Sequence, residues 1–485
     1  MATVNTNDLR IKNAKNLIDS FNPGLNSNGY VFVGRVQPWA DDNLPPAPQN
    51  NFKEFYTTYD DMVALNRIQT TDAYHMIPKT SWVSGVTYDR YQHNYTVVNR
   101  SFSGASNLYE SKFVVINSLN NVYVCLDNNG NTTSTVEPRS DGNTAFYTSD
   151  GYQWLRVYNV NDDVLRTRST NNLMPIAPSE LNTQTDGEVY TVLIESGGAG
   201  YTINPAGVTN QIPFYYAHID GDGTGAVAKV SISASIVSKV EVVRGGSGYS
   251  FANLDFTSGS VYESLADLDL GVNGLDPLGD GNLRTTVIIS PPGGWGSDSI
   301  RQLGGTRVGV FSSLSSPLFA SQYECPFRQV GILQDFTHLG ANPTSLNACY
   351  AVMVTGLTTG QSFIVGETIE QNVTVNSETK VAKGTVVAWD SETNVLRYVQ
   401  GSGNADVDGN LYRFSGDNLI TGISSALVGT PEISFTGDAS SMTFLNGYAN
   451  PELTKYSGYM TYLTNISPVS RDPQQSERIS LVIAF

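Results

Sequence analysis

The sequence predicts a mainly β protein, and three observations carry that expectation. Charged residues make up only 15% of the chain, against roughly a quarter in an ordinary soluble domain, which disfavours long surface helices. Asn, Ser, Thr and 45 glycines fill the difference, and such polar, uncharged chemistry suits turns and strand faces. Apolar residues reach 40%, enough to fill real cores, so a wholly disordered chain is not expected. At 485 residues the chain exceeds what one hydrophobic core organises, and two to four domains are expected. The specific expectation is a mainly β chain with an N-terminal helix and two inserted small β domains.

The first element reads as a helix. Asn7 can cap it, Ile11, Ala14, Ile18 and Phe21 recur at helical spacing, and Asn22-Pro23-Gly24 stops it. From Gly29 the period changes to strand, through Tyr30-Val-Phe-Val-Gly-Arg-Val36. Gln37-Pro38-Trp39 and Leu44-Pro-Pro-Ala-Pro48 form an extended loop, because the prolines forbid regular pairing. A second short helix is expected within 55–70. Strands resume near Tyr95–Val98, Phe113–Ile116, Val122–Leu126 and Trp154–Val160.

Beyond about residue 185 the texture changes. Val189-Tyr-Thr-Val-Leu-Ile194 runs into Gly197-Gly-Ala-Gly-Tyr201, and later Val237-Ser-Lys-Val-Glu-Val242 runs into Gly245-Gly-Ser-Gly-Tyr249. The repeat is a strand, a Gly-rich turn and an aromatic anchor. Between the copies lie Asp220-Gly-Asp-Gly-Thr-Gly225 and an alternating strand from Ala226 to Ser233. A second module is expected over 355–435, where Ile364-Val-Gly-Glu-Thr-Ile369 recurs loosely as Phe414-Ser-Gly-Asp-Asn-Leu419. Its strands are Gly384–Trp389, with a buried Trp, and Val395–Val399. A final strand runs from Ile479 to Phe485. The segments are then 1–185, 186–285, 286–354, 355–435 and 436–485, with 186–285 and 355–435 the two insertions.

Net charge is −17, from 45 acids and 28 bases, with no run of Lys or Arg. A phosphate-gripping protein needs a basic stripe, so nucleic acid is not an expected partner. Cys125, Cys325 and Cys349 cannot all pair within one chain, none has a C-x-x-C neighbour, and four histidines complete no metal pattern. Buried, reduced thiols are expected, as in a chain folded in a reducing cytoplasm. Met1-Ala-Thr-Val-Asn-Thr6 has neither the basic nor the apolar region of a secretory signal. No stretch approaches the twenty apolar residues of a membrane helix, so no membrane association is expected.

Motifs for chemistry are missing. Asp220-x-Asp222-x-Thr224 opens like a calcium loop but lacks the later bidentate Glu, so a hairpin turn is the better account. There is no phosphate-cradling G-x-x-x-x-G-K-[ST] and no G-x-S-x-G elbow. A facing carboxylate pair, as in glycosidases, leaves no sequence signature. His75, between Tyr74 and Met76, reads as structural. Tyr56, Tyr59, Tyr88 and Tyr91 can stack on sugars, but more commonly pack on strand faces or in protein interfaces. No catalytic residue, metal ligand or cofactor site is assigned, and the chain is expected not to be an enzyme.

Several of these stretches together resemble one family, the baseplate wedge subunit of T-even-type contractile-tailed phages, wedge protein eight. The first match is Val31-Phe-Val-Gly-Arg-Val-Gln-Pro-Trp39 with the proline-rich loop after it. The second is Val122-Tyr-Val-Cys-Leu-Asp127, then Ser134-Thr-Val-Glu-Pro138 and Asp150-Gly-Tyr-Gln-Trp154. The third is Phe327-Arg-Gln-Val-Gly-Ile-Leu333, and the last Ser457-Gly-Tyr-Met-Thr-Tyr462 with Arg471 and Gln475-Ser-Glu477 before the strand to Phe485. The four stand in the family's order, and the two repeat-bearing insertions fall outside them. Pro291-Pro-Gly-Gly-Trp-Gly-Ser-Asp298 is similar to a loop of longer relatives, where His is expected in place of Trp295.

The resemblance implies a mainly β protein with a β-sandwich core, a non-enzymatic structural virion protein without a cofactor and an enlarged member of the family. It implies a homodimer that contacts the wedge arm protein, the inner wedge proteins and the fibre-attachment proteins. It places the chain in the tail baseplate, after assembly in the host cytoplasm. The positions it marks are Gly34, Arg35, Pro38, Trp39, Cys125, Asp127, Asp150, Gly151, Tyr152, Trp154, Phe327, Arg328, Gln329, Gly458, Arg471, Gln475, Glu477 and Phe485. Gly-Arg and Pro-Trp put a donor fork and a flat apolar ring on one loop, as interface anchors do. The other reading is that Trp39 and Trp154 fill the core. The alternative function is a receptor- or carbohydrate-binding tail fibre or adhesin, since Gly/Asn/Thr-rich β repeats and tyrosines serve there too.

Overall fold

The computed structural model describes residues 5–22, 28–181, 185–202, 213–314, 325–340, 343–358, 360–469 and 477–485. Two compact units share the chain: Met1–Ala14 with His75–Arg307 and Ala484–Phe485, and Lys15–Tyr74 with Val308–Ile483. Both are mainly β, and the longest helix among the described residues, Asn7–Asp19, has 13 residues. Its cap is Thr6 rather than Asn7: the Thr6 hydroxyl accepts the Leu9 N–H at 3.2 Å.

In the first unit, Val114–Ile116, Asn121–Asp127, Gln153–Asn159 and Phe146–Tyr147 form one antiparallel sheet, hydrogen-bonded in that order. Both faces of Asn121–Asp127 are covered. Val122, Val124 and Leu126 enter one cluster with Leu155, Val157 and Trp295, while Tyr123 and Cys125 enter another with Tyr88, Tyr152 and Trp154. Alternate side chains leave a strand on opposite sides, so double coverage requires the unbroken apolar run that this segment has. Phe485 joins the same unit through its N–H, donated to Thr306 O at 3.1 Å.

The Gly-rich repeat becomes intelligible in three dimensions. Val189–Gly197 pairs with Leu283–Ile289, and between them Phe214–Gly221, Thr224–Ser233 and Ile236–Ser247 follow one another as antiparallel hairpins. Each repeat ends in a buried tyrosine laid on bare backbone. A Cβ at Gly223 would lie 2.4 Å from the Tyr249 ring, and one at Gly279 only 1.8 Å from the Tyr201 ring. The Tyr249 hydroxyl donates to Ile219 O at 2.9 Å and accepts from Ala226 N–H at 3.2 Å. Asp222 stands at the hairpin turn and holds the second repeat, accepting from Ser250 N–H at 2.8 Å and Phe251 N–H at 3.2 Å.

In the second unit the strand order is Ser345–Asn347, Met62–Arg67, Gly29–Gly34, Phe327–Gln334, Tyr459–Val469, all antiparallel. Beside it stands a closed barrel. Val395–Val399, Glu378–Asp390, Thr368–Val375, Ile420–Gly422, Val428–Pro431 and Tyr350–Thr355 pair in sequence, and the last strand returns to the first through Tyr350↔Tyr398. Val352, Val354, Ile369, Val386, Leu396 and Ile420 fill its interior. Closure leaves this sheet without an edge along the ring.

Several expectations need correction. Residues 95–98 form an irregular loop ending in a bend, not a strand, held by Asn99 Nδ2 donating to Asn94 O at 3.2 Å. The second helix is Phe52–Asp61, which ends where Met62–Arg67 begins, so 62–67 is strand. The barrel takes its first strand from Tyr350–Thr355, ahead of residue 355. Trp389 is only half-buried, edge-on to Phe363 at 5.4 Å, and not at the barrel's centre. Trp295 is fully buried against Tyr91 at 4.8 Å, so the loop that carries it is a core plug.

Because the Tyr201 ring occupies the space of a side chain at position 279, Gly279→Ala should destabilise the chain by about 2 kcal/mol in chemical denaturation. Gly142→Ala, where the nearest atom to the new Cβ is the Ser140 hydroxyl at 3.4 Å, should change stability by less than about 0.5 kcal/mol.

Candidate functional site

Two of the marked sequence motifs, far apart in the chain, meet in the second unit. As the chain leaves Gly29–Gly34, Arg35 takes a left-handed conformation, φ 58°. Its N–H donates to Asp61 O at 2.8 Å, its guanidinium reaches Asp61 Oδ2 at 3.3 Å, and the same guanidinium lies 3.8 Å over the Trp39 ring. Gly34 permits the approach, because a Cβ there would lie 2.7 Å from Asp61 O. Trp39 is half-buried, and its indole N–H donates to Ile466 O at 3.2 Å. Pro38 is exposed.

Arg328, from the central strand Phe327–Gln334, fixes the same loop. It is buried, spans both Asp42 oxygens at 2.8 and 2.7 Å, and donates to Val36 O at 2.5 Å. The guanidinium holds the Asp42 carboxyl down to about 2. Phe327 is buried beside it, and Gln329 donates to Asn465 Oδ1 at 2.8 Å. Gly458 has φ 78°, and a Cβ there would lie 2.4 Å from Gln334 O. The anchors that the sequence marked are thus largely spent within the chain, bracing the proline-rich loop.

Next to this brace sits a buried charge cluster that the motifs did not mark. Burial pushes the Asp61 carboxyl up to about 6, against the opposing pull of Arg35. Lys455 lies 3.6 Å from Asp60, and burial lowers it to about 8. The Tyr456 hydroxyl donates to Asp60 Oδ1 at 2.6 Å. A signal for this cluster was present: two adjacent acids at a helix C-terminus oppose the helix dipole, and something nearby must offset them.

In the first unit, Asp150 organises a tight turn. Its Oδ2 accepts from Thr135 N–H at 2.7 Å, Val136 N–H at 2.9 Å and the Ser134 hydroxyl at 3.1 Å, and despite partial burial these bonds lower its carboxyl. Gly151 follows with φ 85°. Tyr152 stacks on Trp154 at 5.4 Å, and both are buried, which answers the core question for Trp154. Cys125 lies opposite Trp154, and burial raises its thiol well above the usual range. Asp127 accepts the Asn129 N–H at 3.0 Å and lines an open cleft. Arg471, Gln475 and the Glu477 side chain lie outside the described residues.

These arrangements bind the chain to itself. All three cysteines are buried, and His75 Nδ1 pairs with Gly305 O at 2.9 Å. Among the described residues no group of three or more His, Cys, Asp or Glu is placed to hold a metal ion, and no helix is long and apolar enough to cross a membrane.

Arg328→Met should cost about 3 kcal/mol in chemical denaturation, since it strands a bound carboxylate and a carbonyl. Arg328→Lys should recover less than half, because an ammonium cannot span the same acceptors. Asp61 carries a pH signature. Its folded pKa stands above the ordinary carboxylate value, so its contribution is complete below about pH 4 and lost as pH rises through about 6. The stability of Asp61→Asn relative to the parent should therefore rise by up to about 3 kcal/mol between pH 4 and pH 7, read from denaturation midpoints.

The sequence matches no protein-family model and no curated protein.

Proposed function

We propose that this chain is a structural virion protein, a baseplate wedge subunit of a contractile phage tail that joins wedge arm, inner wedge and fibre-attachment proteins. The ordered motifs at Val31–Trp39, Val122–Asp127, Phe327–Leu333 and Ser457–Tyr462 support the family. The observation that carries a joining role is the strand Tyr459–Val469. It is the terminal strand of its sheet, and among the described residues no strand pairs with its outer edge. Eleven residues long, it contains no charged residue. Every residue of it is half-buried or exposed, including Met460, Tyr462, Leu463 and Ile466.

Unpaired backbone groups on an edge recruit another strand, and Lys, Pro or a bulge blunts that tendency. This strand has no Lys, its Pro468 stands near the far end, and its register against Phe327–Gln334 shifts at two places. Here the loop covers only the far end, through Trp39 on Ile466 O and Asn465 on Pro46 O. Near the open end stand Tyr459, 70% exposed, and the helix residues Phe52 and Tyr56, 76% and 53% exposed. Tyr56 lies edge-on to Tyr456 at 5.3 Å. An uncharged edge flanked by exposed aromatics is the composition of a protein interface. A second copy and neighbouring wedge subunits are its occupants on this reading.

Light scattering of the purified chain should give a dimer, and co-expression with wedge proteins should yield a joint complex. Tyr459→Lys and Thr461→Lys, both at exposed positions, should weaken association roughly tenfold or more with unchanged thermal unfolding. A stable trimer that binds host cells and ignores wedge proteins would overturn the proposal.

A further inference from the structure

A cleft of about 850 Å³ opens in the first unit, within the size range of small-ligand sites. One wall comes from the loop at 90–99 and the turns at 127–130 and 147–151. The other comes from the strands Val189–Gly197, Ile236–Ser247 and Leu283–Ile289. The Gly-rich repeat therefore supplies half of it.

Its polar groups are organised before any ligand arrives. Gln92 Nε2 donates to Asn94 Oδ1 at 2.7 Å, and Asn99 Nδ2 donates to the same oxygen at 3.1 Å. Arg90 Nε reaches Gln92 Oε1 at 3.3 Å, which fixes the guanidinium at the head of this amide row. Across the cleft, Lys239 pairs with Glu241 at 2.6 Å, and Glu195 is held by the Thr286 hydroxyl. Asp127 belongs to the first wall, its carboxyl raised chiefly by burial. The Tyr147 ring is 45% exposed, with the Lys239 ammonium 5.6 Å from its centre.

The chemistry of this lining selects among ligands. Three carboxylates against two cations disfavour a phosphate or a polyanion. An apolar ligand would strip water from these amides and carboxylates without meeting their remaining hydrogen-bonding capacity, at a cost for each. What fits is a ligand whose closely spaced groups both donate and accept, and hydroxyl groups do that. The exposed ring offers a flat apolar plate for the C–H face of a sugar, as tyrosine commonly does where one side is apolar and the other wet. We infer that this cleft binds a neutral oligosaccharide, its hydroxyls held by the Gln92–Asn94–Asn99 amides and Asp127 and one ring stacked on Tyr147.

The inference goes beyond the wedge reading and stands or falls separately from it. The full chain is tested by titration calorimetry against maltohexaose, cellohexaose, chitohexaose and mannohexaose, with oligogalacturonate as the acidic comparison. At least one neutral hexasaccharide should bind saturably. Tyr147→Ala and Asp127→Asn should each weaken that binding roughly tenfold or more, while Val407→Ala, at a fully exposed side chain that does not line the cleft, leaves it unchanged. Thermal unfolding of Tyr147→Ala should match the parent. Failure of every neutral probe, equal binding of oligogalacturonate, or binding that survives both cleft substitutions would overturn the inference. None of these results would alter the expected dimer.

Discussion

Asp61 is the residue on which the second unit turns. It ends the helix Phe52–Asp61 and adjoins the strand Met62–Arg67, so one peptide joins two kinds of backbone geometry. Its carbonyl accepts the Arg35 N–H, its carboxylate takes the Arg35 side chain, and Gly34 is bare where that carbonyl presses in. On its other side a Cβ at Gly401 would lie 1.7 Å from Asp61 Oδ1. Gly401 follows the barrel strand Val395–Val399, so the sheet, the helix and the barrel share this carboxylate. Burying it is costly, and the arrangement is held because the alternatives would leave Arg35 or a backbone group unsatisfied.

The two arginines near this point divide the labour. Arg328 is buried with all of its acceptors in place, so it fixes the proline-rich loop rigidly on the central strand. Arg35 is half-buried and shared between a ring and a carboxylate. A rigid loop beside an unfinished sheet edge suits a connector on the reading proposed above. The loop covers one end of the edge and leaves the other for a partner, which sets where along the strand a neighbour can pair.

Much of this was legible in the residues. The spacing of Ile11, Ala14, Ile18 and Phe21 marked a helix, and the run Val395–Val399 marked a strand whose bounds the structure reproduces. Turn chemistry was harder to read. The hairpin turns at Ala234-Ser235, Asn376-Ser377 and Ser440-Ser441 all use positive φ at both residues without a glycine, so the usual Asn-Gly signal was absent. Barrel closure was invisible for another reason. It depends on Tyr350 meeting Tyr398 across the intervening strands, and alternation along a strand is the same in a barrel and a sandwich. In the site, each arginine motif stood out alone, but Asp42 pairs with Arg328 across 286 positions, and no local pattern announces such a partner.

The tyrosines of the glycine repeat have a consequence for how the family of such sequences can vary. Tyr201 rests on Gly279 and Tyr249 on Gly223, each ring filling the volume that a side chain on its glycine would need. Enlarging the glycine expels the ring, and shrinking the ring leaves a void over bare backbone. Either change made alone costs stability, so a substitution at one member favours a compensating change at the other. Tyrosine and glycine are therefore coupled positions, each setting the volume that the other has to leave or fill.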